Sequence, residues 1–497
     1  MSNASFQKLT KVFFTSIFLI SIILIVSCYS ETGANKLWSN ASTFWLFIIT
    51  SVLIFAIWHT NGIPYMITWF ISYTMSIYYY PRFIGYAIFS DMIQFANIPD
   101  QISSSDITNM LMVLAVYLAC IALILVIATI ILNKKYSAFN STPKSSQTLC
   151  VNKMGLILFC CIIIILEYTW INITGINVYA SIRADSGHFL AMLIKLFLKS
   201  HVLFPIILYL LIKHENNEKI QFAYLILILM IFMISSSLWG SRIGPLRSLT
   251  YVLFLITFFA NKVNLTKLIL IIAIICTTAC LTTPLANYIR VDRAYDSRVT
   301  SAYKNDSVSE QNRLTSIINR FGDSDFSTIV INKINHADPK LSVQYTVKSI
   351  LNYIMPGMPF KEAPIQQSRM LPVLTGVVDW DYVVQPNTRY HSQPFTVWGQ
   401  VYISGKLWVG SALLSLITSV IIFCGVFFNL IAKRYWQANL AVPYFYLILI
   451  YGFWNLMAWD QYISNAISLS LSFVFYFIVI VLMKIVAPKT EASCICR

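Results

Sequence analysis

Charge is scarce in this chain: Asp, Glu, Lys and Arg make up 11% of its 497 residues, and only 20 residues are acidic. Against 58% hydrophobic residues, so little charge excludes a water-soluble globule, whose surface would have to be largely apolar. Alternation of apolar and polar residues is missing too. Runs such as 154–166 are apolar throughout, which excludes barrel strands, where lipid-facing and lumen-facing residues take turns. Cysteine is absent from the one long hydrophilic stretch, 286–394, although the chain holds 10. Neither a disulfide framework nor a metal site is expected there. Gly-rich phosphate loops, the Gly-x-Ser-x-Gly elbow and the His-Glu-x-x-His helix do not occur, so the motifs of soluble enzymes are excluded as well.

What the chain does have is a succession of apolar runs near the roughly 20 residues that a helix needs to cross a bilayer. Spans are expected near 10–29, 42–59, 63–80, 108–132, 154–171, 196–212, 220–238, 245–261, 268–286, 407–431, 438–457 and 464–484. Alternate connections then carry lysine: Lys8 and Lys11, Lys134 and Lys135, Lys144 and Lys153, Lys213 and Lys219, Lys262 and Lys267, Lys433, Lys484 and Lys489 all fall on one side. Positive charge retained near helix ends marks the cytoplasm, so both termini are placed there. The first apolar run follows Lys8 and Lys11 without a small-residue cleavage site and reads as a retained signal anchor. The expectation is an all-α polytopic membrane protein of about twelve transmembrane helices. It divides into a membrane bundle over 1–285, a large external loop over 286–394, and a last bundle with its tail over 395–497.

Arginine does not follow lysine. The cytoplasmic side of this arrangement holds thirteen Lys and two Arg, the outer side nine Lys and eleven Arg. Ordinary ion pairing is one account, since 286–394 contains ten acidic and twelve basic residues. The other is chemical: the planar guanidinium grips phosphate with two parallel hydrogen bonds and stays charged in a partly dry site. On that account an anionic, phosphate-bearing substrate is expected at the outer face.

Candidate groups follow from this. GSRIGPLRSL, 240–249, puts Arg242 and Arg247 in a tight turn at an outer helix mouth, either as an anion site or as snorkelling anchors. RYHSQPFTVWGQVYISGKLWVG, 389–410, leads from Arg389 and His391 into a helix interrupted by Gly399, Gly405 and Gly410, which allow close backbone approach or a break at the membrane boundary. His391 is a proton acceptor or a structural hydrogen-bonding residue. Glu167, near the outer end of an apolar run, and Asp460, in a short outer turn, are placed to assist a base or bind hydroxyls. Within the long loop, helical spacing of apolar residues predicts helices over 309–321 and 341–354 lying against the membrane surface.

Four features in order, SRIGPLR at 241–247, INRFGDSDFSTIV at 318–330, YIMPGMPFKEAP at 353–364 and HSQPFTVWGQVYISGKLWVG at 391–410, together with the whole-chain topology, resemble the Wzy-type O-antigen and capsular repeat-unit polymerases of bacterial inner membranes. The last of them is also similar to the related O-antigen ligases. The resemblance implies a GT-C-like architecture and glycosyl transfer on the outer face of the cytoplasmic membrane, from an undecaprenyl-pyrophosphate-linked oligosaccharide to the next lipid-linked repeat. By the same resemblance, Arg242, Arg247, Arg320 and Arg389, with Arg290 nearby, would hold the leaving pyrophosphate, and His391 would serve the acceptor hydroxyl. No cofactor, metal or nucleic acid is implied; a chain-length regulator is a possible partner. The alternatives are an O-antigen ligase and, in another class, a flippase or transporter of lipid-linked oligosaccharides.

Overall fold

The computed structural model describes residues 3–32, 37–90, 102–135, 323–334, 338–354, 359–363, 370–375 and 396–434, with residues 336, 367 and 380 and isolated positions between 161 and 277. Every regular element among them is helical: α1 (Asn3–Thr32), α2 (Asn40–His59), α3 (Gly62–Thr74), a π turn (Met75–Tyr79), α4 (Tyr80–Ile88), α5 (Ser104–Lys135), α6 (Asp323–Asn332), a 3₁₀ turn (Pro339–Leu341), α7 (Val343–Ile354), α8 (Leu371–Leu374) and α9 (Val397–Arg434). Four stretches, Ala4–Tyr29, Asn40–His59, Ser104–Asn133 and Val397–Phe427, are long and apolar enough to cross a membrane. The protein is therefore an all-α membrane protein.

The spans expected over 10–29, 42–59, 108–132 and 407–431 fall within α1, α2, α5 and α9, and the one over 63–80 is a continuous helical run through α3 and the π turn. The other seven, and the helix expected over 309–321, lie outside the described residues save for isolated helical positions. The helix expected over 341–354 is present as α7.

The chain forms two compact units, one of Met1–Gln7, Lys144–Val308 and Ile467–Arg497, the other of Lys8–Pro143 and Ser309–Ala466. In the first, Phe6 packs with Leu268, Leu253 and Ile272, and the Gln7 amide donates to the Thr257 carbonyl at 3.3 Å. The second holds most of α1 and all of α2 to α9.

Within that second unit, α2 lies along α5. Leu46, Ile49, Leu53 and Ile57 recur every three or four residues and are all buried, forming one apolar stripe. Ser39 caps α2 by accepting from the Ser42 amide at 3.0 Å, and the hydroxyls of Ser42 and Thr108 meet at 2.7 Å. The π turn has a local cause. Pro81 has no N–H to give to the preceding turn, and the Tyr80 amide reaches back five residues to Met75, widening the helix just ahead of Arg82.

Two features set the site. Helix α6 has ten residues, about 15 Å of helix, half of what a span requires. Even so, every residue from Asp325 to Ile331 is buried, against α5, α9 and the π turn. This part of the long hydrophilic segment is inserted among the helices of its unit. Helix α9 breaks at Lys406, whose φ of 50° and ψ of −149° are not helical. The interruption anticipated from the glycines of 399–410 thus falls directly after Gly405.

Candidate functional site

A helix buried over Asp325–Ile331 must satisfy the polar residues it carries from its neighbours, and α6 does so turn by turn. Asp325 receives Arg82 from α4 in bidentate fashion, Nε to Oδ1 at 3.0 Å and Nη2 to Oδ2 at 2.5 Å. The Tyr86 hydroxyl also donates to Oδ1 in a very short hydrogen bond. Arg82 is 0% and Asp325 1% exposed. Tyr86 sits one turn beyond Arg82 on α4 and presents its ring 5.5 Å from the guanidinium. Two opposite charges out of water, joined by two parallel hydrogen bonds and one phenol, form a satisfied group; either charge alone would not be.

Farther along, the Ser327 and Thr396 hydroxyls meet at 2.5 Å, pinning the residue before α9 to α6. At the C-terminal end, the Asn332 amide donates to the Asp106 carbonyl at 2.9 Å and its oxygen accepts from Asn109 at 2.7 Å, while Lys333 reaches the Asp106 carboxylate at 3.3 Å. Polar residues at 325, 328 and 332 thus follow the helical spacing of three and four. The other face is apolar: a Cβ on Gly399 would come within 3.1 Å of Val330 Cγ1, so α9 lies backbone-close on α6 because position 399 has no side chain.

The first turns of α9 carry a second polar layer. Gln400, fully buried, donates to Gln367 at 3.0 Å, and Gln367 donates to the Lys340 carbonyl at 3.3 Å. At the α9 break the Lys406 carbonyl accepts from the Tyr117 hydroxyl of α5 at 2.8 Å. A Cβ on Gly410 would stand 2.5 Å from that same hydroxyl oxygen. The imidazole of His336 lies edge-on to Tyr402, ring centres 5.6 Å apart. Burial holds His336 below its ordinary pKa of 6.5; the Ile331 carbonyl opposes this and the Lys406 charge adds to it. Its Nδ1 is buried with no hydrogen-bond partner among the described residues.

Of the residues singled out from sequence, Arg242, Arg247, Arg290, Arg320, Arg389, His391, Glu167 and Asp460 all lie outside the described residues. Of the arginines that the sequence reading assigns to the outer side, Arg82 is described, and it is engaged in the ion pair with Asp325, so for this residue ordinary pairing accounts for the choice of Arg. Sequence reasoning missed Asp325, Tyr86, Gln367, Gln400, His336 and Lys406. A signal was present for the first: an acidic residue opening an apolar run, DFSTIVI, inside a stretch otherwise read as external loop. Among the described residues no group of three or more His, Cys, Asp or Glu is placed to hold a metal ion. Comparison with family models, with curated proteins and with solved structures finds no match to this chain.

Proposed function

We propose that this protein is a membrane glycosyltransferase that polymerises lipid-linked oligosaccharide repeats, of O-antigen or capsule type, from undecaprenyl pyrophosphate on the outer face of the bacterial cytoplasmic membrane. The observation that carries the reading is the junction of α6 with the start of α9. Arg320 precedes the buried Asp325 by five residues, and His391 precedes Thr396 by five. Asp325 is fixed by Arg82, and Thr396 is fixed to Ser327 two residues beyond Asp325. The segments leading to a candidate phosphate ligand and to a candidate base are therefore tethered to one anchored knot. Transfer at a pyrophosphate demands cations already in place to meet charge on the leaving group, and an anchored junction close in sequence to Arg320 and His391 supports the reading.

In this reading Arg242, Arg247, Arg320 and Arg389, with Arg290, hold the pyrophosphate. His391 accepts the proton of the attacking hydroxyl, and Glu167 and Asp460 contact sugar hydroxyls. The anomeric C–O bond to phosphate breaks as the bond to the acceptor oxygen forms, and the lipid pyrophosphate leaves with the electron pair. Both termini are cytoplasmic, the long segment is external, and about twelve helices span the membrane.

Single replacement of Arg242, Arg247, Arg320, Arg389 and His391, with surface polysaccharide resolved by gel, tests the proposal. Collapse of the ladder to a single repeat on its acceptor is the expected result. Complete loss of attached glycan would instead indicate a ligase, and a full ladder in every variant would remove the assigned site.

A further inference from the structure

Helix α9 is folded sharply at Lys406. A Cβ on Gly410 would stand 3.0 Å from Val401 Cγ1, although positions nine apart in a straight helix are about 13 Å apart along its axis. Lys406 takes the strain of the fold in a positive φ, a conformation that favours glycine. The depth of this elbow follows from its neighbours. Phe44, Phe47, Phe55 and Trp58 are exposed along α2, so lipid reaches both ends of that helix. Its 20 residues span about 30 Å, all of it needed to cross the hydrocarbon. One end is level with Thr108 of α5, whose hydroxyl meets Ser42. The elbow is level with Tyr117, whose hydroxyl donates to the Lys406 carbonyl. Tyr117 lies nine residues beyond Thr108, about 13 Å farther in along α5. Even with its side chain leaning back toward the start of α5, residue 406 lies inside the thickness of the bilayer. Ser404 and Lys406 are exposed there nonetheless.

A broken helix at membrane depth persists where the break is buried in protein or lines water, and a charge at that depth faces water or a counter-charge. Exposure of Ser404 and Lys406 removes the first option. We propose that the elbow of α9 lines a water-filled recess in the bilayer, and that Lys406 receives there the anionic head of a lipid. Before the elbow the chain turns aside onto α6, where Gly399 meets Val330 and Thr396 meets Ser327. Helix α9 itself therefore does not fill the line of its span beyond Leu407. Directly after the elbow Trp408 is 80% and Val409 63% exposed, an apolar rim through which the recess opens sideways to lipid. Identifying that lipid as a pyrophosphate carrier rests on the proposed function; the recess does not.

The test places single thiols in the full-length protein in lipid nanodiscs and follows their reaction with a neutral, membrane-impermeant maleimide, peptide by peptide, in a mass spectrometer. The reacting form is the thiolate, which exists where water reaches, so Lys406→Cys and Ser404→Cys should label within about tenfold of the rate of Glu362→Cys. Glu362 is an exposed residue outside the spans. Val409→Cys and Ile127→Cys, at exposed positions within the spans, should label at least about a hundredfold more slowly. If Lys406 only snorkels to the membrane boundary, thiols at 404 and 406 stay as dry as those two, which would overturn the recess. Should Lys406→Cys fail to fold, Ser404→Cys decides alone, since the Ser404 hydroxyl bonds within its own helix, to the Gln400 carbonyl. Exchanging phosphatidylcholine for phosphatidylglycerol should slow Ser404→Cys about threefold relative to Glu362→Cys, and Lys406→Gln should abolish that difference. No dependence on the lipid, or one that survives Lys406→Gln, would overturn the assignment of a lipid head. Polysaccharide gels keep the two proposals apart. Rapid labelling at 404 with an intact ladder in Lys406→Gln supports the recess and counts against its use in polymerisation, whereas dry thiols alongside a collapsed ladder in the arginine variants overturn the recess alone.

Discussion

The α2–α5 seam and the α4–α6–α9 junction solve the same packing problem with opposite materials. Between α2 and α5 the contact is a stripe of Leu and Ile closed at one end by the hydroxyls of Ser42 and Thr108. At α6 it is an ion pair, hydroxyls and amides, with every residue of Asp325–Ile331 buried. Apolar side chains are as content against lipid as against one another, so the first seam is held by fit and tolerates small losses. A buried ion pair has no acceptable alternative partner in hydrocarbon. The junction is thus specified more sharply than it is stabilised, and it fails abruptly when one member is removed.

The comparison would be broken most directly at Asp325. Asp325→Ala leaves the Arg82 guanidinium without its carboxylate and should cost about 3–5 kcal/mol, read as loss of folded protein in a denaturing-detergent titration. Replacing both residues, Arg82→Met with Asp325→Leu, should restore most of it. If the double variant is as unstable as the single one, the pair acts through something other than charge compensation. Next in size is Gly410→Ala, whose new methyl meets the Tyr117 hydroxyl; overpacking of this kind costs about 1–3 kcal/mol, and combination with Tyr117→Phe should relieve only part of it. In the apolar seam, Ile49→Val should cost only about 0.5–1.5 kcal/mol. A thermal midpoint lowered as far as by Asp325→Ala would erase the distinction between the two seams. The smallest effect concerns pH. Because the folded pKa of His336 lies below its ordinary value of 6.5, the unfolded chain binds this proton first as pH falls. Stability should therefore decline as pH falls from about 6.5 toward the folded pKa and show no His336 dependence above that range. His336→Gln should flatten that part of the profile, and an unchanged slope would assign it to other groups.

How much of this was legible in the sequence divides along the same line. Helices α1, α2, α5 and α9 were readable because length and hydropathy alone define a span, and no partner need be known. Helix α7 was readable from its amphipathic spacing. Helix α6 was not: ten residues containing Asp325, Ser327, Thr328 and Asn332 look like exposed loop until Arg82, Asn109 and Thr396 are brought to them. Those partners lie 243, 223 and 69 residues away from their counterparts. Arginine was singled out for its excess on the side taken as outer; for Arg82 the partner is a carboxylate within the chain, which sequence alone does not reveal. The interruption of α9 was foreseen from its glycines; that a lysine would take the strained position was not, because nothing in a sequence indicates that Tyr117 will hold residue 406 in place.

The separation of 243 residues between Arg82 and Asp325 also sets an order of events at the ribosome. At about 5–20 residues per second, Arg82 is synthesised roughly 12–50 s before the carboxylate that it finally grips. Through that interval α1 to α5 hold a cation whose eventual counter-charge has not been made. A chain truncated before residue 325 would carry three of the four described spans and leave the Arg82 guanidinium without its carboxylate.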